Sequence, residues 1–211
     1  MRSESRKARY PPAVTDTVRL ATDADLGPIA ASLSRAFADD PVMNYLLGKD
    51  ELPFDKGVKF FTLMCKIQLP HQHVYVTDRC EAAAVWAPPD KWKVPSSEIL
   101  KATPAFLSVF GVKQFVSALS ALTLLEKNHP KEPHYYLEFL GTDPAHQRKG
   151  FGAAVLGPVL ERCDTEGVGA YLESSKDVNV PYYRHFGFEV RQEVKHKNNG
   201  PTQWLMWRDP K

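Results

Sequence analysis

No stretch of this 211-residue chain approaches the length of an apolar membrane span, and its first residues lack the apolar run of a signal peptide. No membrane partner is expected. Neither sign of charge dominates: 27 Lys and Arg against 25 Asp and Glu leave a net charge of +2. That excludes the strongly basic face of a dedicated nucleic-acid binder. Cysteine is scarce, with only Cys65, Cys80 and Cys163, an odd number without ligand spacing. They read as free thiols of a reducing compartment, which makes the cytoplasm the expected location. His71 and His73 lie two apart but have no third ligand nearby, so no metal is expected. Internal repeats, low-complexity runs and the Gly-Lys-Ser/Thr ending of a P-loop are all missing.

What remains is a 43% hydrophobic chain, enough for one globular domain over residues 15–211 with a full core. Met1 to Val14 is charged, ends after Pro11-Pro12, and is expected to be a disordered leader. Thr17 to Ala21 predicts a strand, and Thr22-x-x-Asp25 a capping box before apolar residues at 26, 29, 30, 33 and 37. Asp40-Pro41 predicts the end of that helix, because the residue before proline is pushed out of the α region. Helices are predicted around Val42 to Leu47 and Asp55 to Gln68, then an antiparallel pair, Val74–Thr77 and Ala82–Ala87.

Between Lys91 and Pro133 the pattern is helical. Ser96–Ala102 and Pro104–Phe110 read as short helices, and a longer one follows with Val112, Phe115, Val116, Leu119 and Leu122 on one face. Asn128-His129-Pro130 ends it. This segment is expected to wall one side of a site. Tyr135–Gly141 predicts the central strand, Ala154–Glu166 a helix kinked by Gly157-Pro158, and Gly169–Ser174 the next strand. A short helix over Asn179–Phe186 and a hairpin of Phe188–Val194 with Gln203–Trp207 close the chain.

The chain is organised around Thr142–Ala153, a basic glycine-bearing turn between a strand and a helix. Gly150 and Gly152 let the backbone approach a ligand closely. A helix N-terminus adds orphan donors and about half a positive charge, which suits a pyrophosphate. Gly-x-Gly alone is weak, and the strand ends in Thr-x-Pro, so the Rossmann fingerprint does not fit. Gln147-Arg148-Lys149-Gly150-Phe151-Gly152 does resemble the Q/R-x-x-G-x-G/A motif of the GCN5-related N-acetyltransferases (GNAT). Tyr171–Ser175 and Asn179–Phe188 extend the likeness. Thr17–Thr22, Ala36–Asp39 and Pro130–Pro133 are similar to the puromycin N-acetyltransferase branch.

The resemblance implies an α/β fold: a mixed, mostly antiparallel sheet, splayed at its central strand and flanked by helices. It implies acetyl-CoA as donor and a small-molecule amine as acceptor, in a monomer or homodimer. Donor contacts would come from Leu140, Gly141 and Thr142 along the strand and from Gln147, Arg148, Lys149, Gly150, Phe151, Gly152 and Ala153 in the turn. Asn179 and Tyr182 would add to them. Tyr183 matches the family's general-acid tyrosine. A phenol near pKa 10 is a weaker acid than a thiol near 8.5, so it serves better as a donor to the departing sulfur than as a proton source.

Glu138 shares strand parity with Leu140, which predicts both side chains on one face and makes Glu138 a candidate base. A structural carboxylate is the other reading. Glu173 is the second candidate, as base or as host for a cationic amine. Phe37, Phe60 and Trp86 are candidates for the acceptor wall, with ordinary core packing as their alternative. Two further functions stay open: acetylation of protein lysines or N-termini, and non-catalytic acyl-CoA binding on the same fold.

Overall fold

The computed structural model describes residues 17–93 and 96–211, apart from the side chains at 96, 97, 99, 116 and 117. The expected leader, Met1 to Val14, lies outside the described residues. Among the described residues seven strands form one sheet: β1 (Val18–Leu20), β2 (Val74–Thr77), β3 (Ala82–Ala87), β4 (His134–Thr142), β5 (Gly169–Ser174), β6 (Glu189–Lys195) and β7 (Thr202–Arg208). Their order is β1-β2-β3-β4-β5-β7-β6. Every pairing is antiparallel except β4 with β5.

The sheet separates two large apolar cores, with a smaller cluster of Tyr171, Val194, Leu205 and Trp207 besides. On one face lie α5 (Phe151–Glu166) and α6 (Val180–His185), with Val155, Leu156, Val159 and Leu160 packed on Ala82, Ala84, Trp86, Leu137 and Leu172. On the other lie α1 (Leu26–Ala36), α3 (Phe54–Gln68) and α4 (Ser96–Asn128), where Ile29, Leu33, Phe61 and Val109 meet Val74, Val76, Ala83 and Val85. Short α2 (Pro41–Leu47) bridges α1 and α3. Among the described residues no single helix is long and apolar enough to cross a membrane.

Local chemistry explains the element ends. Thr22 donates from both its amide and its hydroxyl to Asp25 at 2.8 Å. Arg19 forks onto the same carboxylate at 2.8 Å through both terminal nitrogens, holding its pKa well below the usual range. The first helix stops at Ala36 with Phe37 as its C-cap, ahead of the expected Asp40-Pro41 end, and Asp40 acts on the next helix instead. Its side chain accepts from the amides of Val42 and Met43 and so caps α2, with Pro41 in the first turn, where a missing N–H is harmless.

Three further expectations are corrected. No break falls at Pro104, which lies within α4; the interruption comes at Gly111, at φ 73° and ψ 164°, a backbone conformation open to glycine. α5 starts at Phe151, three residues before the predicted Ala154, because Gly150 at φ 86° acts as its N-cap. Its course through Pro158 is unbroken. The third correction concerns the central strand. Val85 of β3 pairs with Phe139 and Trp86 with Leu137, so Glu138 is an extra residue in a β-bulge. The bulge resets the alternation. Leu140 packs into the α5 core, whereas Glu138 bonds to Gln68 of α3 and Phe139 packs beside Phe60 and Phe61. Glu138 and Leu140 therefore face opposite sides of the sheet, contrary to simple strand parity.

Candidate active site

β4 and β5 run together only from His134–Gly169 to Leu137–Leu172. Beyond that point they part, and a cavity of about 610 Å³ opens between them. One wall is β4 from Leu137 to Thr142, apart from Phe139; the other is Leu172 to Lys176, with Asn179, Tyr182 and Tyr183 from the α6 segment. Gln147, Arg148, Gly150, Phe151, Gly152 and Ala153 form the end at the helix N-terminus. No side chain caps α5, so the first-turn amides keep their donors for a ligand. Arg148 at φ 61° and Gly150 at φ 86° both take left-handed backbone around Lys149, the kind of curl that turns successive amides inward. Lys149 is the one predicted turn residue that does not line this cavity; its ammonium reaches back to the carbonyl of Ala145 at 3.4 Å.

The turn is anchored from behind. Asp143 accepts from the amide of Ala145 at 3.0 Å and pairs with Nε of Arg35 on α1 at 2.6 Å. Gly141 lets α1 sit against β4, since a Cβ there would stand 2.6 Å from Cδ2 of Leu33. Across the mouth, the hydroxyl of Ser175 bonds to Asp40, and Lys176 pairs with Asp39 at 2.6 Å. Thus the loop after α1 is tied to the loop after β5. Asp40 and Ser175 were not legible as site residues, because one reads as a helix stop and the other as a loop serine.

Tyr183 is half-buried, its ring on those of Tyr182 and Phe188. Burial, then the neighbouring Tyr182 and Asp40, raise its phenol above the ordinary tyrosine range. It stays protonated and able to donate.

A second cavity, about 300 Å³, meets the first along Phe37, Asp40, Glu138, Glu173 and Ser175, which line both. Its walls are chiefly apolar: Phe60, Met64, Phe106, Phe110 and Phe139, with α4 contributing Ala118, Leu119 and Leu122. Phe37 and Phe60 thus come together with Glu138 and Glu173. Trp86 does not. It is 0% exposed and lies in the α5 core on the opposite face of the sheet.

The two carboxylates differ. Glu173 accepts from Tyr136 at 2.6 Å through Oε2 and from Tyr171 at 3.0 Å through Oε1. Glu138 has one partner, the Gln68 amide on Oε1, while its Oε2 has none among the described residues. Burial, with the charge of Glu173 adding to it, pushes Glu138 up to about 8. A carboxylate with a bare oxygen and a pKa near neutrality is suited to accepting a proton. Among the described residues no group of three or more His, Cys, Asp or Glu is placed to hold a metal ion.

A sequence model of the acetyltransferase (GNAT) family matches residues 78–188. An uncharacterized N-acetyltransferase of Schizosaccharomyces pombe is 29% identical over 198 residues, 88% of this chain and 80% of the relative. Among solved structures, a Corynebacterium glutamicum protein described as histone acetyltransferase HPA2 and related acetyltransferase superposes with a TM-score of 0.65. It is 24% identical, over 94% of this chain and 98% of that one. The polyamine N-acetyltransferase of Drosophila melanogaster gives 0.66 at 13% identity, over 92% and 99%. Arylalkylamine N-acetyltransferase 2 of Aedes aegypti gives 0.63 at 10%, over 94% and 100%. At these identities the structural likenesses show the fold.

Proposed function

The chain belongs to the GNAT acetyltransferase family and is an acetyl-CoA-dependent N-acetyltransferase; on that premise we propose that its acceptor is the amine of a compact, apolar small molecule, deprotonated by Glu138. The observation that carries this reading is the place of Glu138, at the junction of the α5-capped cleft and the aromatic cavity, with Oε2 bare.

The donor cleft fits acetyl-CoA by its chemistry. An uncapped helix N-terminus and the Arg148–Gly152 turn suit a pyrophosphate, and a splayed strand edge suits the peptide-like pantetheine arm. Acetyl-CoA supplies the thioester carbonyl that the amine attacks. Past Leu137, the backbone of β4 has no strand opposite it on the β5 side among the described residues, which leaves polar groups to face that carbonyl and its developing charge. Tyr183, on the wall across from β4, donates toward the sulfur.

The acceptor side offers three buried carboxylates, Asp40, Glu138 and Glu173, and a largely apolar, aromatic remainder. A cationic amine is drawn to the first and an apolar or aromatic body fills the second. Of the small amines named for the structural neighbours, an arylalkylamine matches this lining better than a polyamine. Puromycin, pointed to by the sequence resemblance, belongs in the same test. The test is free-thiol release from acetyl-CoA with phenethylamine, tryptamine, puromycin, spermidine and a lysine peptide. The expected result is that an aromatic amine gives a kcat/KM at least about tenfold above the peptide and spermidine, a margin of 1.4 kcal/mol. A lysine peptide that outpaces every small amine would overturn the reading in favour of a protein acetyltransferase.

A further inference from the structure

A chain of titratable groups leads from the acceptor cavity to a third cavity. This one is open, about 660 Å³, and lined by Trp92, Lys93, Glu126, His129, Glu132 and His134 among others. His129 and Trp92 line both it and the acceptor cavity. Their rings stack at 3.7 Å, and Tyr136 and Tyr171 meet the imidazole edge-on, so its orientation is fixed.

The hydrogen bonds settle the tautomers. The carbonyl oxygen of Glu132 can only accept, so Nδ1 of His134, 2.6 Å away, carries a proton. In a neutral ring Nε2 of His134 is then an acceptor, and the facing Nε2 of His129, at 2.9 Å, must donate to it. Nδ1 of His129 is left bare. It stands 3.8 Å from Oε1 of Glu173, and a shift of under about 1 Å closes that to hydrogen-bond length.

We infer that His129 relays the acceptor amine's proton from Glu173 through His134 to water in the open cavity. The inference rests on the acceptor site proposed above. Glu138 and Glu173 line the same cavity, so a proton taken by Glu138 reaches Glu173 through water there, and beyond Glu173 the rings of His129 and His134 lead to the open cavity. Glu173 passes the proton to Nδ1 of His129; His129 releases its Nε2 proton to Nε2 of His134; His134, now doubly protonated, exchanges the Glu132 carbonyl for water of the open cavity and gives that water its Nδ1 proton. One proton enters and one leaves, and the tautomers reset by exchange with that water. The groups facing His129 are Glu173 and Tyr171 from β5 and His134 and Tyr136 from β4, with Glu126 of α4 and Lys93 on the open cavity's wall. His129 touches no substrate in this scheme; it is a positioning and relay residue.

The test begins on the full chain without substrate. Nitrogen-15 NMR of the imidazoles is expected to show His129 protonated at Nε2 and His134 at Nδ1; a proton on Nδ1 of neutral His129 overturns the relay whatever the acceptor proves to be. Kinetics with acetyl-CoA and phenethylamine follow. His129→Gln is expected to lower kcat about 10²-fold at neutral pH, with the KM for acetyl-CoA unchanged, a larger solvent isotope effect and partial rescue by added imidazole. His134→Gln leaves the neighbour of Glu173 in place and is expected to act in the same direction, which covers the case that the first variant misfolds. An unchanged kcat and isotope effect, or a uniform loss without imidazole rescue, overturns the relay. If the parent acetylates no small amine, the acceptor reading fails instead, and the tautomers still decide the relay.

Discussion

Gly152 lies directly under the hydroxyl of Tyr182. A Cβ built on it would stand 3.0 Å from Oη of Tyr182 and 3.4 Å from Oγ1 of Thr142. All three residues line the donor cleft, so a branched side chain at 152 would intrude on the wall where the first amides of α5 are exposed. The expected outcome is that acetyl-CoA at about 100 times its dissociation constant stabilises the parent by roughly 2.7 kcal/mol and Gly152→Val not at all. Melting curves with and without millimolar acetyl-CoA check this, and equal shifts in the two proteins would refute the assigned cleft.

Glu138 gives a prediction in pH. A base must be ionised to act, so turnover should climb with pH toward a midpoint near 8, the value to which burial pushes this carboxyl. Glu138→Gln should lower kcat by at least about 10²-fold and remove that limb. Stability moves the other way. Because the folded-state pKa is raised above the usual carboxylate range, the folded protein holds a proton that the unfolded chain has lost. The parent therefore loses stability as pH rises from the unfolded pKa through about 8. Glutamine at 138 escapes that loss, so the variant's melting temperature should gain on the parent's between pH 5 and 8. A constant difference across that range would mean Glu138 is ionised throughout.

How far the sequence reached follows from the range of each signal. The turn from Gln147 to Gly152 and the strand before it were legible because glycine positions, a helix start and an apolar run are local. The face of Glu138 was not, because the bulge arises from the register of β4 on β3. Nor was the face of Trp86. β3 is buried on both sides along its whole length, so period-two patterning says nothing of which core a residue joins. His129 reads locally as part of a helix stop, and only the packing of β4, β5 and Trp92 around it gives it a second meaning.

Tyr183→Phe should lower turnover while acetyl-CoA affinity stays nearly intact, since the proposed bond strengthens only as charge builds on sulfur. The phenol's raised pKa keeps the donor protonated across the working range. Single-turnover rates, with acetyl-CoA binding measured separately, make the check. A parent-like rate where chemistry is limiting would leave Tyr183 a packing residue against Phe188.

The acceptor cavity can be tested by filling it rather than by cutting its walls. Ala118 lines it from α4 and is half-buried, so a larger ring there displaces bound amine and not the sheet. Ala118→Phe should raise the KM for the preferred amine at least about tenfold, with the KM for acetyl-CoA within about twofold, because Ala118 is absent from the donor cleft. Trp86→Ala supplies the contrast. At 0% exposure in the α5 core, the indole should cost about 3–5 kcal/mol of stability when truncated and leave both constants of the remaining folded enzyme unchanged. The ratio of the two KM changes is the discriminating measurement. If Ala118→Phe leaves the amine's KM untouched, the acceptor binds elsewhere, and the case for a compact aromatic amine loses its physical basis.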